Sequence, residues 1–263
     1  MKNPPHHSFP SVSKASTAVR ILRAAPVVAA VAVALALLLF TDTPVMTWIQ
    51  DHRAGGGRPD NDIRSNFLGW SELFAKTVST VTICCLMLVL DARRRSRIIA
   101  LLLILGIVTP VNFGLKVALG RVRPERARLE YYKRLDGRLD KLDPRLKNTV
   151  FESPYPTYFG GPVLGIQGNR FQSFPSGHAA HATAQAVVLA CFYPQLKAVF
   201  YALVLLVGAE RIYHEAHYPS DVFAGCALAL ILTRLLLRNA RFQFLCERMT
   251  PARWRSGGGA AAP

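Results

Sequence analysis

The sequence predicts an all-α fold, a bundle of six transmembrane helices with an insertion on its outer surface, and two observations predict it. Hydrophobic residues make up 51% of the 263, and they are gathered into six blocks. A hydrocarbon core of about 30 Å needs about 20 helical residues, fewer where a functional mouth is sunk into the bilayer. Basic residues, in turn, collect in alternate connections, as membrane topology requires.

In chain order, the first block, Ala24–Phe40, is an almost uninterrupted run of Ala, Val and Leu. Arg20 and Arg23 precede it as they would a secretory signal. The block is long for one, and the following TDTPVMTWIQ has no small-x-small cleavage pattern, so it reads as a retained helix. The second block, Phe67–Leu90, is interrupted near its start by Glu72 and Lys76, one turn apart. These read as a mutual ion pair near the outer interface. Ile98–Leu119 carries no charge before Lys116, and Ser176–Tyr193, Ala198–Val207 and Val222–Leu237 complete the set, the fifth being short. Residues 1–19 read as a disordered tail, 20–240 as the membrane domain and 241–263 as a second tail ending in low-complexity SGGGAAAP.

The formal net charge of +16 invites a nucleic-acid reading, but its distribution argues otherwise. Fifteen Lys and Arg fall before the first block, in DARRRSR, at Lys197 and from Arg234 onward, all on one side of the bundle. The first loop on the other side, Thr41–Asn66, has only Arg53, Arg58 and Arg64. Short basic loops stay cytoplasmic, so both termini are expected inside a cytoplasmic (inner) membrane. Nucleic-acid binding would want a basic face with interleaved aromatics on a soluble fold. The five cysteines show no metal-ligand spacing and read as buried structural residues.

Twelve basic residues lie between Lys116 and Arg170, on the outer side. The insertion, about residues 120–173, includes Leu135, Leu139, Leu142 and Leu146 at helical spacing among charges, which predicts an amphipathic helix on the membrane surface. A soluble cap with its own small core fits the same pattern.

Three stretches sit at outer ends of predicted helices: KVALGRVRP with Lys116 and Arg123, FPSGHAAH with Ser176, Gly177 and His178, and ERIYHEAHYPSD with Arg211, His217 and Asp221. Each has a bland account alone: snorkelling cations, a helix cap, a hydrogen-bonded His–Asp pair. Together they propose a phosphate site. Lys116, Arg123 and Arg211 supply cations, and guanidinium forks suit phosphate oxygens. Ser176 and Gly177 open a helix whose free amides can hold an anion. Of two histidines, one can attack phosphorus and the other protonate the departing oxygen. Asp221 can hold His217 in the tautomer that leaves one ring nitrogen nucleophilic.

KxxxxxxRP, PSGH and RxxxxxHxxxD in this order resemble the signature of the type 2 phosphatidic acid phosphatase superfamily. That group includes membrane lipid phosphatases, vanadium haloperoxidases and a class of bacterial acid phosphatases. Ten fixed letters match between Lys116 and Asp221, and the six-block layout is similar to the membrane branch. The resemblance implies a phosphohistidine at His217 oriented by Asp221. It implies His178 as the acid for the leaving group and then the base for water. Lys116, Arg123, Ser176, Gly177 and Arg211 would be the phosphate clamp. No metal or other cofactor is implied, because the cations do that work. The implied partners are the bilayer and a phosphorylated lipid such as phosphatidic acid, phosphatidylglycerol phosphate, undecaprenyl pyrophosphate or lipid A.

This chain departs from the family pattern in one place: Glu210 stands where Ser usually precedes the third-motif Arg. An acid beside a phosphate clamp weakens it unless it turns away or pairs with a cation. His214 and His181 are extra imidazoles that read as non-catalytic. The competing functions are a phosphotransferase using the same phosphohistidine and a non-enzymatic carrier or scaffold, which leaves the ordered motifs unexplained.

Overall fold

The computed structural model describes residues 17–52, 63–91, 95–124, 155, 157, 159–251 and 254. Helix α1 spans Thr17–His52, α2 Ile63–Glu72, α3 Thr77–Leu90, α4 Arg97–Leu119, α5 Gly161–Gly165, α6 Gly177–Phe192, α7 Lys197–Tyr213, α8 Pro219–Arg238 and α9 Ala240–Met249. Among the described residues there is no strand, only an isolated antiparallel bridge between Arg121 and Phe159. The amphipathic helix expected over the insertion lies outside the described residues.

Helix α6 is the axis of the bundle, and its composition explains why. Ala179, Ala180, Ala182, Ala184 and Ala186 are all buried, so α4, α7 and α8 close on it from several sides. Small residues at helix interfaces permit that approach in an apolar medium. The main core then fills with Leu101, Ile104 and Val108 of α4, Val188 of α6, and Ala229 and Leu237 of α8. Facing outward are Leu37 and Phe40 of α1, Val89 of α3, Phe113 of α4, Leu205 of α7 and Leu235 of α8. An apolar outer surface of this kind suits hydrocarbon.

Among the described residues, three helices are long and apolar enough to cross a membrane: Val28–His52 within α1, Arg97–Leu119 and Pro219–Arg238. A fourth candidate is the pair Leu68–Ala75 and Thr77–Leu90, bent by 67° at a break. The remaining two apolar blocks form helices of 16 and 17 residues, α6 and α7. The first apolar block ends at Phe40, whereas α1 continues to His52 and carries Asp42 inside it. The tail expected after 240 is also revised. Asn239 accepts from the amides of Arg241 and Phe242 at 2.9 and 3.2 Å, an N-cap that starts α9. Phe242 and Cys246, one turn apart, bury against α4 and α8.

Two glycines set close approaches at the end of the bundle where α4 finishes and α6 begins. Gly120 ends α4 in the left-handed region (φ 56°), and a Cβ there would lie 2.0 Å from the Gly161 carbonyl oxygen. Gly225 lets α8 pass against the Ser176 backbone, where a Cβ would lie 2.4 Å from the carbonyl oxygen. Gly225→Ala is expected to cost about 1–3 kcal/mol, because that backbone must move. Gly106→Ala, whose Cβ would meet nothing within 4 Å, should be neutral or stabilising. Unfolding of both variants in detergent checks the contrast, and equal effects would contradict this packing.

Candidate active site

Local folding explains the motif spacings. After Gly120 the chain turns extended, and the Ser173 amide donates to the Arg121 carbonyl at 3.0 Å while the Arg123 amide donates to Arg170 at 3.2 Å. The first motif is thereby laid beside the approach to the second. Between α7 and α8, the amides of Ala216 and His217 both donate to the Arg211 carbonyl, at 3.0 and 3.2 Å. Glu215 takes a left-handed φ of 54° to make this turn. The five residues between Arg211 and His217 are the length of that loop. Pro219 then opens α8, and the Asp221 carboxylate reaches back to accept from the Tyr218 amide at 2.9 Å. An acid at the third helical position bonding the cap amide explains the HxxxD spacing.

At the centre is a buried ionic network that motif reading missed. Arg121 is fully buried and donates to Asp221 Oδ1 at 2.5 Å, to Asp42 Oδ2 at 2.7 Å and to Ser220 Oγ at 2.7 Å. Its guanidinium lies 4.2 Å from the Tyr218 ring centroid and 4.9 Å from that of Phe159, a cation–π arrangement. Asp42 also accepts from the Ser220 amide at 2.9 Å and from the Ser220 hydroxyl. Ser173 donates to Asp221 Oδ2 at 2.5 Å. Asp221 is therefore held by Arg121, Ser173 and the Tyr218 amide.

His217 is buried with Nδ1 toward this network, 3.6 Å from Asp221 Oδ2 and 3.5 Å from Ser173 Oγ. The first distance exceeds a normal hydrogen bond, so the contact is electrostatic with Ser173 alongside. Burial pushes the imidazole down to about 3, the Asp221 contact opposes this, and the Lys116 and Arg123 cations reinforce it. The ring is thus neutral at ordinary pH, and its remaining nitrogen, Nε2, carries the chemistry available to it.

Cations and the second histidine complete the site. Lys116 is buried, and its Nζ donates to the Gln172 carbonyl at 2.5 Å. A Cβ on Gly177 would sit 3.5 Å from Lys116 Cε and from Asn112 Oδ1, so the first turn of α6 abuts α4. Arg123 donates to Asn169 through Nε at 2.9 Å and Nη2 at 2.7 Å. Ser176 caps α6, its Oγ accepting from the Ala179 amide at 3.4 Å, and its own amide donates to the Asp221 carbonyl at 2.8 Å. His178 Nε2 lies 3.3 Å from Glu72 Oε1, and Glu72 Oε2 lies 3.1 Å from Arg211 Nη2.

All eight motif residues thus converge on one end of the bundle, where α4 and α7 finish and α6 and α8 begin. Glu210 does not turn away from Arg211: it grips the guanidinium through Nε and Nη2. Glu72 does pair with Lys76, at 3.2 Å, but the reading of these two as an isolated pair is incomplete, since the carboxylate also reaches His178 and Arg211. His181 Nε2 lies 3.0 Å from Thr80 Oγ1, as a structural residue would. His214 follows α7, its ring edge-on to Tyr213 at 5.9 Å. Among the missed residues, Asp42 had a signal, a charge directly after an apolar block, and Arg121 stood inside the first motif.

The sequence model described as the PAP2 superfamily matches residues 97–244 of this chain, which include all three motifs. Over 87 residues the chain is 33% identical to lipid A 1-phosphatases of Rhizobium johnstonii and Rhizobium etli. Those alignments cover 32% of this chain and 34% and 36% of the two relatives, so the chain matches about a third of their length. Among solved structures it is similar to Aquifex aeolicus LpxE, at 19% identity and a TM-score of 0.47, over 75% of this chain and 95% of that one. It is also similar to a transmembrane PAP2-type phosphatidylglycerolphosphate phosphatase from Bacillus subtilis, at 18% identity and a TM-score of 0.49, over 85% and 98% of the two chains.

The network makes a stability prediction. Arg121→Met leaves two buried carboxylates without their counter-charge and is expected to cost about 3–5 kcal/mol. Arg123→Met, at the half-exposed rim, should change unfolding in detergent by less than about 1 kcal/mol. Equal losses for the two would show that the buried pairing is not what holds this end together.

Proposed function

The chain belongs to the PAP2 superfamily, and on that premise we propose that it is an integral-membrane phosphatase acting on a phosphomonoester or pyrophosphate of a lipid. The observation that carries this reading is His217. It is buried and neutral, with Nδ1 facing Ser173 and Asp221 and with the Lys116 and Arg123 charges close enough to act on it.

In this reading His217 Nε2 attacks phosphorus while the bond from phosphorus to the leaving oxygen breaks, and His178 gives that oxygen its proton. A phosphohistidine results, and the imidazolium character of His217 is balanced by Asp221. His178, now unprotonated, takes a proton from water as the water attacks phosphorus, which releases phosphate and restores both histidines. Lys116, Arg123, Arg211 and the amides opening α6 stabilise charge on the non-bridging oxygens through both steps. The cations supply what a metal would otherwise supply, so turnover needs no added divalent ion.

The three full-length helices, the bent pair and the shorter α6 and α7 together make six passages. The shorter two meet the site at one end, where a functional mouth reduces the thickness to be crossed. The basic bias of the connections puts the termini in the cytoplasm and the site on the outer face of the inner membrane. The names of the Rhizobium relatives favour a lipid phosphate, with lipid A among the first substrates to test.

Phosphate release from phosphatidic acid, phosphatidylglycerol phosphate, undecaprenyl pyrophosphate and lipid A in detergent tests the reading. At least one should be hydrolysed, in EDTA as well as without it. His217→Ala should lower kcat by about 10³-fold or more, as loss of a nucleophile does, whereas His214→Ala should retain most activity. Substantial turnover in His217→Ala with loss in His214→Ala would overturn the assignment.

A further inference from the structure

We infer that Glu72 is a positioning residue for the leaving-group step, holding the His178 imidazole and the Arg211 guanidinium in register over the phosphate site. This rests on the phosphatase reading above and adds a residue that lies outside the stretch matched by the family model, residues 97–244.

The geometry is specific. One carboxylate oxygen, Oε1, lies 3.3 Å from His178 Nε2, and the other, Oε2, lies 3.1 Å from Arg211 Nη2 and 3.2 Å from Lys76 Nζ. A plain surface pair with Lys76 needs only one oxygen and no inward partner. Here the Lys76 side chain is 44% exposed, that of Glu72 21% and that of Arg211 11%, so the carboxylate is turned from solvent toward the site.

The placement of Glu72 depends on the break between α2 and α3, and α6 holds that break. Helix α2 ends at Glu72, a 3₁₀ turn covers Leu73–Ala75, and Lys76 is extended (φ −96°, ψ 153°) before α3 begins. A break inside an apolar segment frees backbone carbonyls that must find other donors. The Phe74 carbonyl accepts from Gln185 Nε2 at 3.1 Å and from Ser79 Oγ at 2.9 Å. Thr80 Oγ1 joins the cluster, donating to Gln185 Oε1 at 2.7 Å and lying 3.0 Å from His181 Nε2. His178, His181 and Gln185 are spaced i, i+3 and i+7, one face of α6. That single face therefore carries the second histidine of the site, the Gln185 side chain that pins the break and the His181 side chain that meets Thr80 of α3, fixing Glu72 relative to His178. The extra imidazole His181 is accounted for in the same way, as a pin.

Charge gives the arrangement its function. Toward His178 act Glu72 from α2, Arg211 from α7, Lys116 from α4 and Arg123 from the segment after α4. Three of these four are cations, and Glu72 is the one group of opposite sign among them. Its carboxylate is in direct contact with the imidazole, and Glu210 occupies the Arg211 fork. Glu72 takes no part in the transfer itself: the proton passes from His178 to the ester oxygen as the P–O bond breaks and the His217–phosphorus bond forms.

Glu72→Gln, assayed on a soluble alkyl phosphate and on p-nitrophenyl phosphate, tests this. General-acid help matters for an alkoxide leaving group and little for a nitrophenolate. The kcat/KM loss on the alkyl ester should exceed that on the nitrophenyl ester by about tenfold or more. The alkaline limb of the profile should move to lower pH, since the acid loses the carboxylate that supports its charged form. In a His178→Ala background the added loss should shrink to the share carried through Arg211, as coupled residues require. Glu72→Asp keeps the charge but withdraws it, and should give a smaller loss of the same sign, a second variant should the first not accumulate. Equal losses on both esters, an unmoved alkaline limb or full additivity with His178→Ala would each overturn the inference. Wild-type chain that hydrolyses no lipid phosphate and neither ester removes the phosphatase reading, and this inference with it.

Discussion

The site end of the bundle depends on one buried guanidinium. Arg121 sits between Asp42 and Asp221, fully removed from solvent, and joins α1, the exit of α4 and the start of α8. Burying three charges is expensive, and such networks are weak sources of net stability. What they give is specificity, because only one relative placement of the elements pairs every charge. That placement fixes Asp221 and, through Ser173, the setting of His217. Two carboxylates against one guanidinium leave an excess of negative charge in the network. Lys116 and Arg123 lie close enough to offset it.

The same balancing recurs around Arg211. Arg211, counted from the sequence as a free phosphate ligand, is held between Glu210 and Glu72. The acid that departs from the family pattern is thus absorbed by the very cation it was expected to weaken. In the proposed function, a phosphate entering the site would meet a guanidinium already oriented and would compete with carboxylates for it. Preorganisation of this kind lowers the reorganisation needed when charge develops on the transferring group.

The motif residues were legible because their spacings are local physics. RxxxxxH is a loop closed on the Arg211 carbonyl, and HxxxD is an acid bonding back to a helix cap. The site contacts of Asp42, Arg121, Ser173 and Glu72 were not legible, because those partners are distant in sequence: Asp42 is 178 positions from Ser220 and 79 from Arg121. Periodicity reports which face of an element is buried, never which distant charge it meets. The apolar blocks located the helices but misjudged their ends. α1 runs past Asp42 to His52, since a polar residue can continue a helix when tertiary partners satisfy it. The helix after Asn239 did have a local signature, a cap followed by Phe242 and Cys246 at i, i+4 spacing, and reading that stretch as tail overlooked it.

The central claim is that the buried, neutral His217 takes the phosphoryl group. Rapid quenching of the wild-type chain with a radiolabelled lipid phosphate, followed by peptide mapping, tests it most directly. The account predicts an acid-labile, base-stable phosphoryl group on the peptide that contains His217, formed and lost fast enough to lie on the turnover path. Phosphate on any other residue, or turnover with no trapped intermediate under conditions that preserve phosphohistidine, would contradict it.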